Sequence, residues 1–211
     1  VGLAVEGGAP DEAAYVDAEA LTDVDERALV EWLADPSVPK AVHDLKLRTA
    51  LITVYSAGLR ISEAIALTVR DIDSARMVIC VRQGKGGKDR YTVLSKQLLG
   101  ILRDYWQRSR PLHWLFPGRN PSRPVTKRAL QLACRRAAVA AGLSKSVTVH
   151  TLRHSFATHL LEQGVDIRVI QDLLGHRHIK STAGYARVAI DMIRQVQSPL
   201  ELLNMAATAP D

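Results

Sequence analysis

At 211 residues the chain can bury one sizeable core, and its 47% apolar and 24% charged content is that of an ordinary globular domain. No apolar run approaches the roughly 18 residues of a membrane span, and the first residues lack the basic-then-apolar pattern of a secretory signal. The net charge of +6 hides an asymmetry: residues 1–35 hold ten acidic residues and one basic, leaving 27 basic and 12 acidic residues over 36–211. A body carrying fifteen surplus positive charges points to a polyanionic partner, and nucleic acid is the obvious one.

Residues 1–20 are rich in Gly, Ala and acids without periodicity and read as a flexible acidic leader. A helix is expected from about Thr22 or Asp23, with Glu26 placed as in a capping box, Leu29, Val30 and Leu33 on its apolar face, and "ADPSVP" as its end. Lys40 to Ala57 reads as a largely buried helix stopped by Gly58. "RISEAIALT" predicts a short helix starting at Ile61 or Ser62. The period then changes. "RMVICVRQ" and "RYTVL" are β-branched runs around "GKGGKD", which predicts a hairpin with lysines among the glycines of its loop.

Helical period returns in "SKQLLGILRDYWQRSR" and in "TKRALQLACRRAAVAAG", the latter closed by Gly142. Two more helices are expected between His150 and Gly175, broken at Gly164, and an amphipathic segment runs past Pro199 to Met205. Cys80 and Cys134, two and far apart, suit reduced, buried thiols. The layout is α+β, mainly α-helical, with one small antiparallel sheet.

Five of the seven histidines fall between His150 and His178. His150 and His154 have the spacing of a metal pair on a helix, but Arg153 lies between them and no Asp or Glu lies between His150 and Leu161 to complete a site, so metal chemistry fits poorly. Phosphate chemistry fits better. His150 and Arg153 share a helical face and combine an imidazole with a guanidinium fork, while Leu152, Phe156 and Leu160 turn to the core. His154 and His159 are expected to serve the fold through hydrogen bonds at a helix surface. Arg60 stands at a helix entry, where backbone N–H groups favour an anion, and Glu63 is placed to hold its guanidinium. Lys85 occupies the glycine-flanked hairpin loop, and Tyr185 follows His176 by nine residues.

"AGLRISEAIAL", "GKGGKDRYTVLS", "HTLRHSFATHLLEQG" and "LLGHRHIKSTAGYARV", in that order and spacing, resemble the catalytic domain of tyrosine recombinases, the phage-integrase and Xer-type strand-exchange enzymes. The likeness is strongest to integrases associated with insertion sequences and integrons, and it covers 21–196, with 197–211 as a C-terminal helix or tail. It implies the recombinase catalytic-domain fold and a site of Arg60, Lys85, His150, Arg153, His176 and Tyr185. In that family two arginines, matching Arg60 and Arg153, grip the scissile phosphate. The hairpin lysine, matching Lys85, protonates the 5′-oxygen leaving group. The histidines, matching His150 and His176, position the phosphate and assist proton transfer. The nucleophile matches Tyr185, which forms a 3′-phosphotyrosyl bond.

Because that bond stores the phosphodiester energy, the resemblance implies no cofactor, no metal and no ATP. It implies double-stranded DNA as partner, a homo-oligomer that is tetrameric in the synapse, no membrane, and a place on the nucleoid of a prokaryotic cytoplasm. The N-terminal core-binding domain usual in the family is expected to be absent, since one short helix precedes the catalytic body. The alternatives are a type IB topoisomerase-like relaxing enzyme and a non-catalytic DNA-binding regulator.

Overall fold

A computed structural model describes residues 24–35, 44–82, 89–143, 147–175, 193 and 196–202. Helix α1 (Val24–Ala34) buries Leu29, Val30 and Leu33 as expected. Its end is held by α2 (Leu45–Ala57), whose Arg48 donates from Nη2 to Asp35 O at 2.7 Å and from Nε to Leu33 O. The Asp23 half of the anticipated capping box lies outside the described residues. Helix α2 takes Asp44 as its N-cap, the carboxylate accepting from Lys46 N at 2.9 Å.

Every residue of α2 from Thr49 to Ala57 is buried, so this helix is the axis of the domain. Helix α1 packs against it, as do α3 (Ile61–Ala66), α4 (Lys96–Ser109), α5 (Lys127–Ala140) and α6 (Val149–Glu162). Two of its buried hydroxyls bond back into the helix: Thr53 Oγ1 donates to Thr49 O at 2.7 Å and Ser56 Oγ to Ile52 O at 2.6 Å. Gly58 stops the helix at φ +59°, and a Cβ there would lie 2.4 and 2.6 Å from the Phe156 ring, so only glycine fits.

Helix α3 (Ile61–Ala66) leads through a 3-10 turn (Val69–Asp71) into a three-stranded antiparallel sheet, β1 (Ile72–Asp73), β2 (Val78–Val81) and β3 (Arg90–Val93). The register pairs Ile72 with Ile79 and Cys80 with Tyr91. The hairpin was expected; the two-residue β1 is too short to show a period. Thr92 Oγ1 donates to Ala57 O at 2.8 Å and pins the sheet to the end of α2.

Helices α4 (Lys96–Ser109) and α5 (Lys127–Ala140) are capped by Ser95 and Thr126 and bury one face each, Leu98, Leu102 and Tyr105 on α4 and Leu130, Cys134 and Ala137 on α5. Cys80, expected buried, is partly exposed, while Cys134 is buried as anticipated. Helix α6 (Val149–Glu162) and α7 (Ile167–Leu174) complete the body, breaking at Gly164 as predicted.

Leu152, Phe156 and Leu160 are fully buried, but they serve two apolar clusters. Leu152 joins the large one around α2, α4 and α5, while Phe156 and Leu160 pack with Val78, Val93, Leu173 and Leu174. His159 departs from the surface role expected of it: it is fully buried, with Nδ1 2.9 Å from the Tyr55 hydroxyl across the core. Beyond α7 the tail is described at a 3-10 turn (Pro199–Leu202), where Leu200 is buried and Ser198 Oγ donates to Ser56 O at 2.8 Å. The rest of the amphipathic segment expected to run to Met205 lies outside the described residues. Among the described residues no helix is long and apolar enough to cross a membrane.

Candidate active site

Arg60 is the N-cap of α3, and Glu63 closes the first turn back onto it. The Arg60 backbone N–H donates to Glu63 Oε2 at 2.7 Å and its Nη1 to Oε1 at 2.9 Å. The orienting role expected of Glu63 thus has a geometry, but the carboxylate serves more than Arg60. Arg90, the first residue of β3, donates from Nη2 to the same Oε2 at 2.8 Å, and Arg153 Nη1 stands 3.5 Å from it. The Glu63 side chain is 6% exposed, Arg153 7%, Arg90 11% and Arg60 27%.

Arg153 reaches this point from the second turn of α6. Its fork is held by backbone carbonyls, Nη1 donating to Gly58 O and Nη2 to Leu174 O, both at 2.7 Å. Gly58 ends α2 and Leu174 ends α7, so one guanidinium ties the second turn of α6 to the C-terminal ends of two other helices. Burial pushes the Arg153 guanidinium down to about 9, with Arg60 adding to the effect and Glu63 opposing it; it stays charged at neutral pH. Burial likewise lowers Arg90, against the pull of Glu63 and with a further push from Arg60.

Three guanidiniums around one carboxylate leave two positive charges in surplus where water is largely excluded. Such a surplus is costly in the free protein and becomes favourable when an anion enters. A phosphodiester fits in charge, and the planar forks can take its non-bridging oxygens in pairs.

Of the residues singled out in the sequence, Arg60, Glu63 and Arg153 meet at this point. His150 sits exposed in the first turn of α6, one turn before Arg153. Lys85, His176 and Tyr185 lie outside the described residues. The described chain stops on either side of Lys85, at Arg82 and Asp89, and reaches Gly175 just before His176.

Arg90 was missed by the sequence reading. Its signal was alternation, since Arg90 and Thr92 fall on one face of β3, and Thr92 is the residue that bonds α2. A charge sharing a strand face with a core contact is a charge turned inward.

The phage integrase family model matches residues 20–191. The Sinorhizobium fredii protein y4qK, which carries only a provisional integrase/recombinase name, is 54% identical over 169 residues, covering 80% of this chain and 55% of its own. Tyrosine recombinase XerA of Pyrococcus horikoshii is 35% identical over 183 residues, covering 84% of this chain and 64% of its own. Among solved structures, XerA recombinase aligns with a TM-score of 0.61 and 28% identity over 84% of this chain and 60% of that one. XerH recombinase, in a pre-cleavage complex with its difH substrate, aligns at 0.62 and 22% identity over 78% and 51%. The chain therefore spans roughly half to two-thirds of the proteins it matches.

Proposed function

This chain belongs to the phage integrase family, the tyrosine recombinases, and on that premise we propose that it is the catalytic part of a site-specific DNA recombinase. The observation that carries the reading is the buried cluster in which Glu63 gathers Arg60, Arg90 and Arg153 with two positive charges to spare. The Tyr185 phenol oxygen attacks phosphorus and forms a phosphotyrosyl ester to the 3′ side, and the bond from phosphorus to O5′ breaks. The leaving O5′ takes a proton from Lys85, and the phenol proton passes to His150 or His176. Attack by the 5′-hydroxyl of a partner strand reverses each transfer, so no net energy, ATP or redox partner is needed.

Arg60 and Arg153 hold the non-bridging oxygens as the pentacoordinate charge develops, and their field eases ionisation of a phenol whose ordinary pKa is about 10. Double-stranded DNA is the partner, in keeping with the basic body of the chain. The reaction runs in a homotetrameric synapse on nucleoid DNA in the cytoplasm, with 21–196 as the catalytic domain. The relatives reported above are named as recombinases and integrases, which does not favour a topoisomerase or a non-catalytic regulator.

The test is to incubate the chain with a pool of nicked suicide duplexes of randomised sequence and recover protein-linked DNA under denaturing conditions. A covalent adduct should form with the unaltered chain and vanish in Tyr185→Phe. Absence of any adduct, or its survival in Tyr185→Phe, overturns the reading. Relaxation of supercoiled plasmid lacking the recovered sequence would support the topoisomerase alternative instead.

A further inference from the structure

We propose that Arg90 is a positioning residue for strand cleavage, one that occupies Glu63 so that Arg153 is not quenched by the carboxylate. The inference rests on the strand-transfer reading above. Glu63 has two oxygens and three guanidiniums competing for them. Arg60 takes Oε1 through its side chain, and its backbone N–H shares Oε2 with Arg90. Arg153 Nη1 is left at 3.5 Å, an ion pair without a hydrogen bond to that oxygen, and is steered instead by the Gly58 and Leu174 carbonyls. Neutral carbonyls orient a guanidinium without cancelling its charge, whereas a direct carboxylate contact would leave less of that charge for a phosphate.

A merely structural ion pair does not require this arrangement. Glu63 is already satisfied by Arg60 as a helix cap, and a further buried cation adds repulsion against Arg60 and Arg153. Arg90 is nonetheless accommodated at some cost. Its Nε and Nη1 are buried without a hydrogen-bond partner among the described residues. Its path also requires glycine at 175: a Cβ there would stand 2.6 Å from Arg90 Nε and 2.7 Å from Cδ, at φ +69°. The hairpin strand, the carboxylate and the turn after α7 are therefore fitted to one side chain.

The deciding measurement is single-turnover adduct formation on the nicked duplex recovered from the pool, for Arg90→Met and Arg90→Lys, at saturating DNA and below both unfolding temperatures. Arg90→Met should slow cleavage about 10–100-fold, the usual effect of removing a group that orients a catalytic ligand, with DNA affinity unchanged. Lysine can still occupy Oε2, so Arg90→Lys should recover much of that rate.

Stability should run the other way, because methionine packs where an ammonium is poorly solvated. Rates that follow thermal stability across the two variants overturn the proposal. A second readout needs no activity. The Arg153 side-chain resonances in nitrogen-edited NMR should shift in Arg90→Met, as Arg153 closes on Glu63, and not in Arg82→Met. Unmoved Arg153 resonances overturn the proposal even if the chain forms no adduct, an outcome that would by itself refute only the strand-transfer reading.

Discussion

Glu63 and Asp71 do the same local job eight residues apart. Each closes a short helix by accepting from the backbone N–H three residues earlier, Arg60 N at 2.7 Å in one case and Thr68 N at 2.8 Å in the other. Each is almost wholly buried, and each takes an arginine from the hairpin. There the likeness ends. Asp71 spends its capacity on Thr68 N, Thr68 Oγ1 and one guanidinium, Arg82, which is 60% exposed. Glu63 gathers three arginines, all largely withdrawn from water. One carboxylate is neutralised by its surroundings and the other is outnumbered. A capped and paired carboxylate is architecture, and an outnumbered one marks where an anion is expected.

The comparison breaks first if the surplus is removed. Arg60→Ala and Arg153→Ala should each lower adduct formation by about 10²–10³, the cost of losing one preorganised donor to the transition state. Arg153→Ala should also lower the melting temperature, because the Gly58 and Leu174 carbonyls lose their donors. If both variants cleave at the original rate, the cluster is not a phosphate cradle.

The carboxylates themselves give the next contrast. Glu63→Gln leaves three buried guanidiniums uncompensated, and breaking a buried pair in this way costs about 3–5 kcal/mol. Denaturant unfolding should register that loss, and cleavage by the folded fraction should fall as well. Asp71→Ala should cost only about 1–3 kcal/mol, for the half-buried Thr68 donors left without their acceptor, with no change in cleavage by folded protein. Equal effects of the two substitutions on cleavage would erase the distinction between them.

A smaller effect separates the scaffold from the charges. Gly58→Ala adds one methyl against Phe156 at a left-handed φ and touches no ionic group. It should lower stability by about 1–3 kcal/mol as overpacking, with cleavage reduced only so far as the Gly58 carbonyl shifts from Arg153. A rate loss as large as that of Arg153→Ala would mean that Arg153 depends on this carbonyl more than on its own charge.

Much of this was legible in the sequence, for identifiable reasons. Helices long enough to repeat a 3.6-residue pattern announced themselves, as with Leu98, Leu102 and Tyr105 on α4. Arg60, Glu63 and Arg153 were found because a helix entry, an i,i+3 pair and a family motif each flagged them. What escaped was long-range. Nothing local shows that Arg90 crosses from β3 to Glu63, 27 positions earlier. Likewise, the fork of Arg153 closes on carbonyls 95 and 21 positions away, and His159 finds Tyr55 across 104. The misreading of His159 as a surface residue has the same origin, since a polar side chain on an apolar helix face is placed by its distant partner.

Arg82 supplies the smallest effect and the sharpest control. It stands on β2's edge of the same hairpin, carries the same group as Arg90, and bonds its carboxylate at 2.5 Å through Nε. Its side chain is solvated, so its attraction for Asp71 is screened and the holding of a long side chain offsets much of the gain. Asp71 keeps both Thr68 donors without it. Arg82→Ala should therefore leave melting temperature and adduct formation within experimental scatter, while DNA affinity falls only in low salt if the residue faces the duplex. A clear loss of cleavage would show that burial is not what separates the two hairpin arginines, and the assignment of Arg90 would need a basis other than its desolvated place beside Glu63.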